Sequence, residues 1–225
     1  MSGIRDSVRP LRSPGVVCLL GLVLAVTGYF GPWVPHKTAA LTLTGLELAE
    51  FAKDAFPHIV RELFYLPLVA AFVLLALLAS RSTARALRLI VPFFAAILLT
   101  GVLFPFSVVD SIRQALTTHS SLVLDPRYTA QLALVVVGTV LTLFSPLAHR
   151  LPQRAWGVLV ALLALAGVVP ALWQFALLRP SVVVLYDALL GLGWGLVACV
   201  VGFGLLLICG ILAAARPNRS VQSRS

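Results

Sequence analysis

The sequence predicts an all-α polytopic membrane protein, a bundle of six transmembrane helices with a short interfacial amphipathic helix on the outer face. The first observation is composition, since 60% of the 225 residues are apolar and only 11% are charged. Soluble domains are about 45–50% apolar and about 25% charged. A soluble fold of this size cannot bury so much apolar surface. The composition therefore excludes a cytosolic globular domain, a disordered chain and a secreted disulfide scaffold.

Six apolar runs are the second observation. A helix needs roughly 20 mainly apolar residues to cross the hydrocarbon core, and each run lacks Lys, Arg, Asp, Glu and His. The first run exceeds the ~7–15-residue apolar region of a signal peptide, so we expect it to be retained. One domain, 15–215, then lies between polar tails 1–14 and 216–225. The expected spans are residues 15–34, 63–80, 89–109, 129–148, 155–178 and 188–215.

The distribution of charge predicts the orientation. Arginine-rich segments precede the first run, join the second to the third and the fourth to the fifth, and follow the sixth. The opposite loops carry every acid except Asp6. Cytoplasmic loops collect Arg and Lys, so both termini are expected in the cytoplasm, in a prokaryotic plasma membrane. The net charge of +9 then results from the arginines that the cytoplasmic segments collect. No nucleic-acid partner is expected, because the basic residues are spread over separate short segments.

The outer segment between the first two runs predicts the amphipathic helix, over residues 44–57. Thr44 and Glu47 fit a capping box, in which each side chain satisfies a free backbone N–H of the other residue. Pro57 ends the helix. Apolar residues share one face, which we expect to lie on the outer membrane surface. They are Leu48, Phe51, Ala52 and Ala55.

The polar residues of the outer side are the candidate site. Glu47, Glu50, Asp54 and His58 offer carboxylate and imidazole ligands that suit a divalent cation. The alternative is a solvated acidic face that Lys53 or Arg61 neutralises. Three further outer-face polar candidates could support acid–base chemistry, although no nucleophile motif accompanies them. They are His36, His119 and Asp187.

The last run carries a stripe of small residues. Gly191, Gly195, Ala198 and Gly202 are spaced four, three and four, which lets two helix backbones approach closely. Their partner is either another helix of the same chain or a partner subunit. The cysteines Cys18, Cys199 and Cys209 all fall in predicted spans, where we expect them to act as small apolar residues.

The absence of ionisable side chains from the six runs guides the functional hypotheses. Such groups mark proton and ion paths, so a proton-coupled antiporter or an ion pump is disfavoured. The leading hypothesis is a non-catalytic subunit or accessory of a larger membrane transport complex, without a cofactor. Its partners would be the lipid bilayer and other membrane subunits or a second copy. The alternatives are a facilitator for a neutral or lipidic substrate and an outer-face enzyme that acts on the envelope or on lipid headgroups.

Overall fold

The structure is a computed structural model that describes residues 14–35, 42–55, 59–118, 126–186 and 191–216. Eight α-helices dominate these residues: α1 (Pro14–Phe30), α2 (Gly45–Ala55), α3 (Leu66–Ser80), α4 (Arg85–Leu103), α5 (Phe106–Thr118), α6 (Thr129–Phe144), α7 (Gln153–Tyr186) and α8 (Trp194–Ala215). Two short strands, β1 (Pro32–Val34) and β2 (Leu43–Thr44), pair antiparallel. Short 3-10 helices cover Arg61–Tyr65, Pro126–Tyr128 and Ser145–Arg150.

Five helical segments are long and apolar enough to cross a membrane. They are Arg61–Ser80, Arg85–Leu103, Pro126–Arg150, Gln153–Val184 and Trp194–Ala215. The predicted helical class is therefore confirmed, together with five helices of spanning length. The apolar part of α1, Gly15–Phe30, is shorter, so the sixth crossing stays a prediction.

The boundary between the last two predicted spans differs from the expectation. Helix α7 continues past residue 178 to Tyr186, with Pro170 and Pro180 inside it. A proline removes one backbone hydrogen bond without ending a helix whose neighbours hold it in place. Helix α8 begins at Trp194, six residues after the expected start at 188.

Helix α3 lies at the centre of the bundle. It packs against α1, α4, α6 and α7. In the segment Arg61–Ser80, which ends with α3, 67% of the most apolar stretch is buried. The corresponding share is 28% for Arg85–Leu103, which is α4, and 28% for Pro126–Arg150, which contains α6. Leu68 and Leu74 of α3 have no exposed surface. The core is therefore arranged around α3, while α4 and α6 lie at the periphery.

Glycines bring α8 close to two other helices. A Cβ placed on Gly21 of α1 would lie 2.9 Å from the carbonyl oxygen of Gly202 in α8. A Cβ on Gly210 would lie 2.7 Å from the amide nitrogen of Ala161 in α7. Real Cβ atoms do not approach this closely, so both contacts depend on glycine. We call the α1–α8 contact and the α7–α8 contact the two glycine seams.

The two ends of the bundle differ in chemistry. The acidic end comprises the strands, α2, the 3-10 helix Arg61–Tyr65 and α5. The arginine end comprises the start of α1, the short connections between α3 and α4 and between α6 and α7, and the end of α8. We use these two names below.

Candidate functional site

The helix α2 begins with the predicted capping box. The backbone N–H of Thr44 donates to the Glu47 carboxylate at 2.8 Å, and the N–H of Glu47 donates to Thr44 Oγ1 at 3.3 Å. Two N–H groups that the first turn leaves free are thereby satisfied. This prediction is confirmed, and it places Glu47 in a structural role at the start of α2.

The apolar face of α2 packs on the protein itself. Leu48 and Ala49 are fully buried and Ala52 is nearly so, and all three belong to the main hydrophobic core. A Cβ on Gly45 would lie 2.8 Å from the Tyr29 ring, so α2 begins directly against α1. Burial of this face requires no membrane surface, and the interfacial position of α2 therefore stays a prediction.

A buried aromatic cluster lies beneath α2. Trp33 has no exposed surface, donates from Nε1 to the Gly28 carbonyl at 3.1 Å, and makes edge contacts with Tyr29, Phe64 and Phe175. Trp194, at the start of α8, is 61% exposed. Trp33 is therefore the tryptophan that packs into the core at the acidic end.

Two contacts from distant parts of the chain fix this end. Gln174 of α7 accepts a hydrogen bond from the Val60 N–H at 3.1 Å, and the Gly193 N–H donates to the Trp33 carbonyl at 3.0 Å. Gly193 is packed so closely on the backbone of Pro32 that a Cβ would collide with it. The segment before α8 is therefore held against β1 by this hydrogen bond and by the close packing of Gly193 on Pro32.

A polar cavity of about 470 Å³ opens beside α2, and we call it the acidic-end pocket. Its apolar wall consists of Leu46 and the segment 102–105 at the end of α4. Its polar groups come from α2, α5, α6 and the 3-10 helices before α3 and α6. They are Glu50, Tyr65, Asp110, Tyr128 and Gln131.

Among the described residues, the hydrogen bonds of this pocket leave one buried acceptor without a partner. Tyr65 donates its hydroxyl to the Glu50 carboxylate at 2.8 Å. Gln131 donates from Nε2 to the Leu103 carbonyl at 2.9 Å, a contact that fixes its amide orientation because a carbonyl can only accept. Gln131 is 5% exposed, and its Oε1 has no partner among the described residues.

Arg61 is a buried cation next to the pocket. Its Nε donates to Glu62 at 3.0 Å, its Nη2 donates to the Arg127 carbonyl, and its guanidinium lies 5.0 Å from the centre of the Tyr128 ring. Nη1 is buried and has no partner among the described residues. From the sequence, Arg61 is expected to be a surface charge. In the fold it lies among Glu62, the Arg127 carbonyl and the Tyr128 ring.

The predicted metal ligands do not form one described group. Glu47 caps α2 and Glu50 lines the pocket. Asp54 lies in α2, but its side chain is not described, and His58 lies outside the described residues, as do His36, His119 and Asp187. The described part of the chain contains no group of three or more His, Cys, Asp or Glu residues that could hold a metal ion. The cation site stays a prediction.

The small-residue stripe of α8 faces α1. A Cβ on Gly195 would lie 2.8 Å from the Gly28 carbonyl, a Cβ on Gly28 would lie 2.8 Å from the Ala198 backbone, and a Cβ on Gly202 would collide with the Ala25 backbone. Gly191 lies before α8, with nothing within 4 Å of its Cβ position. Three of the four residues thus pack within the chain, whereas Gly191 does not belong to the contact.

A second cavity, of about 630 Å³, lies at the arginine end. Its wall includes Cys18, Trp156 and Cys209, and Arg81 and Arg216 also line it. Arg81 donates to the Leu151 carbonyl at 2.8 Å and lies 5.4 Å from the Trp156 ring centre. Partial burial lowers the pKa of Arg81 from its ordinary value, but an arginine remains protonated at neutral pH.

Several described side chains between these two cavities are buried. Leu74, Val160, Leu99 and Phe203 are fully or almost fully buried there.

Comparison with protein-family models, with curated proteins and with solved structures finds no match for this chain. A function must therefore be inferred from the residues and contacts described above.

Proposed function

We propose that the chain is a six-span protein of a prokaryotic plasma membrane, and that it acts as a non-catalytic subunit of a larger transport complex. Helix α1 supplies the sixth crossing: its 17 residues span about 25 Å at ~1.5 Å per residue, and β1 continues the apolar run. The arginine end then faces the cytoplasm with both termini, because basic residues collect there. Helix α2 lies at the outer membrane surface.

The observation that carries this proposal is the absence of Lys, Arg, Asp, Glu and His from the six apolar runs. A protein that conducts or pumps ions needs a path or titratable groups at membrane depth. Leu74 and Phe203 are among the apolar side chains that are buried between the two ends of the bundle.

The outer face of α4 and α6 supports an association with another membrane subunit. A shallow apolar groove of about 410 Å³ runs between the two helices. Thr100 and Thr139 share a hydrogen bond of 2.9 Å at its floor, and nothing lies within 4 Å of the Cβ position of Gly101. The groove lining includes the small residues Ala96, Thr100, Gly101 and Thr139, the residue types that are enriched at helix–helix contacts in membranes. Large exposed side chains flank the groove. They are Phe93, Phe94, Ile97, Val140, Leu141, Leu143 and Phe144.

Site-specific photo-crosslinking in the native cell tests the proposal. A photoreactive residue at Ile97, in the groove, should give a discrete crosslinked product with another membrane protein. The matched control is Leu162 of α7, which is 58% exposed compared with 51% for Ile97. We expect little or no product at Leu162. Loss of the product at Ile97, together with purification of the chain alone and monomeric in mild detergent, would contradict the proposal.

A further inference from the structure

The lining of the acidic-end pocket is negative. Glu50 and Asp110 contribute two carboxylates, and the described lining contains no Lys, Arg or His. Arg61, the nearest described cation, directs its donors to Glu62 and to the Arg127 carbonyl, outside that lining. The volume of about 470 Å³ falls in the ~300–1,000 Å³ range of small-molecule sites. The pocket thus has the size and the charge for a small organic cation.

Gln131 adds a requirement for a hydrogen-bond donor. Its Oε1 is buried without a partner, and its amide cannot rotate to remove this defect without breaking the bond from Nε2 to Leu103. A buried polar atom without a partner costs about 1–3 kcal/mol. The group that occupies the pocket should therefore present an N–H or O–H to Gln131.

We propose that the acidic-end pocket binds the primary ammonium group of a small organic cation. Such a group carries the charge that the carboxylates require and also donates to Gln131 Oε1. A quaternary ammonium has the charge but no donor. The alkyl part of the ligand would contact the apolar wall formed by Leu46 and the segment 102–105. A free alkylamine and the headgroup of an aminophospholipid share this chemistry. This inference goes beyond the subunit role and does not depend on it.

The test uses the full chain in phosphatidylcholine nanodiscs, with propylamine as the probe and choline as the quaternary control. We expect saturation-transfer NMR to show bound propylamine and at least about tenfold weaker choline. A second arm compares retention of phosphatidylethanolamine and phosphatidylcholine by native mass spectrometry. Binding of propylamine alone identifies a free amine, and selective retention of phosphatidylethanolamine identifies a lipid headgroup; both support the proposal. If neither is bound selectively, or if choline equals propylamine, the proposal is wrong.

Substitutions locate the binding in the pocket. Asp110→Asn should weaken binding about tenfold, since hydrogen bonds to charged groups contribute ~1.5–3 kcal/mol. Gln131→Met should weaken binding while its thermal unfolding reports on folding. The matched control is Glu47→Gln, which removes one carboxylate of α2 that does not line the pocket and can still accept from Thr44. Equal binding by Asp110→Asn and the unsubstituted chain would overturn the assignment, whether or not Gln131→Met folds.

Discussion

The two sides of this bundle pack by different rules. On one side, glycines let α8 approach α1 and α7 until backbone meets backbone, as at Gly202 and Gly210. On the other side, α4 and α6 meet partly through the Thr100–Thr139 hydrogen bond and leave Phe93, Phe94 and Phe144 more than half exposed. In lipid there is little hydrophobic force between helices, so close packing decides which faces associate within a chain. The two sides therefore differ in how closely their helix backbones approach, and not in apolar exposure, since Leu20 of α1 and Ile211 of α8 are also more than half exposed.

The largest expected effect is at the glycine seam between α1 and α8. Gly202→Leu should prevent the native fold, because a side chain there would collide with the backbone of Ala25, which cannot move aside. The matched control is Gly204→Leu in the same helix, where nothing lies within 4 Å of the Cβ position. Thermal unfolding in detergent measures both. Similar melting temperatures for the two variants would show that the seam does not hold the bundle together.

The second effect separates the buried tryptophan from the exposed one. Trp33→Ala should lower the free energy of unfolding by about 3–5 kcal/mol, because it leaves a cavity under α2 and removes the hydrogen bond to Gly28. Trp194→Ala, at a residue that is 61% exposed, should change stability by less than about 1 kcal/mol. Reversible unfolding in mixed micelles compares the two variants. The reverse order would mean that Trp194, and not Trp33, belongs to the core.

A smaller effect is expected at the capping box of α2. Thr44→Ala should cost about 1 kcal/mol, because it removes the acceptor of the Glu47 N–H. Thr44→Ser keeps the hydroxyl and should remain close to the unsubstituted chain. Circular dichroism during thermal unfolding provides the measurement. Equal stability of the Ala and Ser variants would show that the hydroxyl contributes nothing.

The smallest effect is expected on the α4–α6 side. Thr100→Val and Thr139→Val, alone and together, should give a coupling energy of about 0.6 kcal/mol for their hydrogen bond, the size typical within membrane proteins. A double-mutant cycle on unfolding free energies measures the coupling. A value above about 2 kcal/mol would mean that this side is held together as firmly as the glycine side.

The structural features that depend only on residues close in sequence could be predicted from the sequence. The capping box follows from Thr44 and Glu47 alone, and the apolar runs follow from composition over about 20 residues. The small-residue stripe predicted a close contact in α8 but not its partner. A further signal was available, because Gly21 and Gly28 in the first run have the same seven-residue spacing as Gly195 and Gly202. The match between these spacings indicates α1 as the partner.

Long-range packing decided what the sequence could not predict. Trp33 stands at the end of an apolar run, and only the fold packs Tyr29, Phe64 and Phe175 around it. Gln131 is one polar residue in an apolar run, and only the fold brings the Leu103 carbonyl to its amide. The acidic-end pocket gathers residues from positions 46 to 131, so no short motif marks it. Proline and arginine near residue 180 suggested the end of a helix that in fact continues to Tyr186. In each case tertiary contacts outweigh the local signal.

The central claim is that the acidic end faces outward across a membrane from the arginine end. Two single-cysteine substitutions test it: Leu116→Cys in α5, at a residue that is 72% exposed, and Thr83→Cys, exposed between α3 and α4. The native Cys18, Cys199 and Cys209 are buried, and the unsubstituted chain provides the blank. A membrane-impermeant maleimide added to intact cells should label position 116 and should reach position 83 only after permeabilisation. Labelling of position 83 but not position 116 in intact cells would contradict the account.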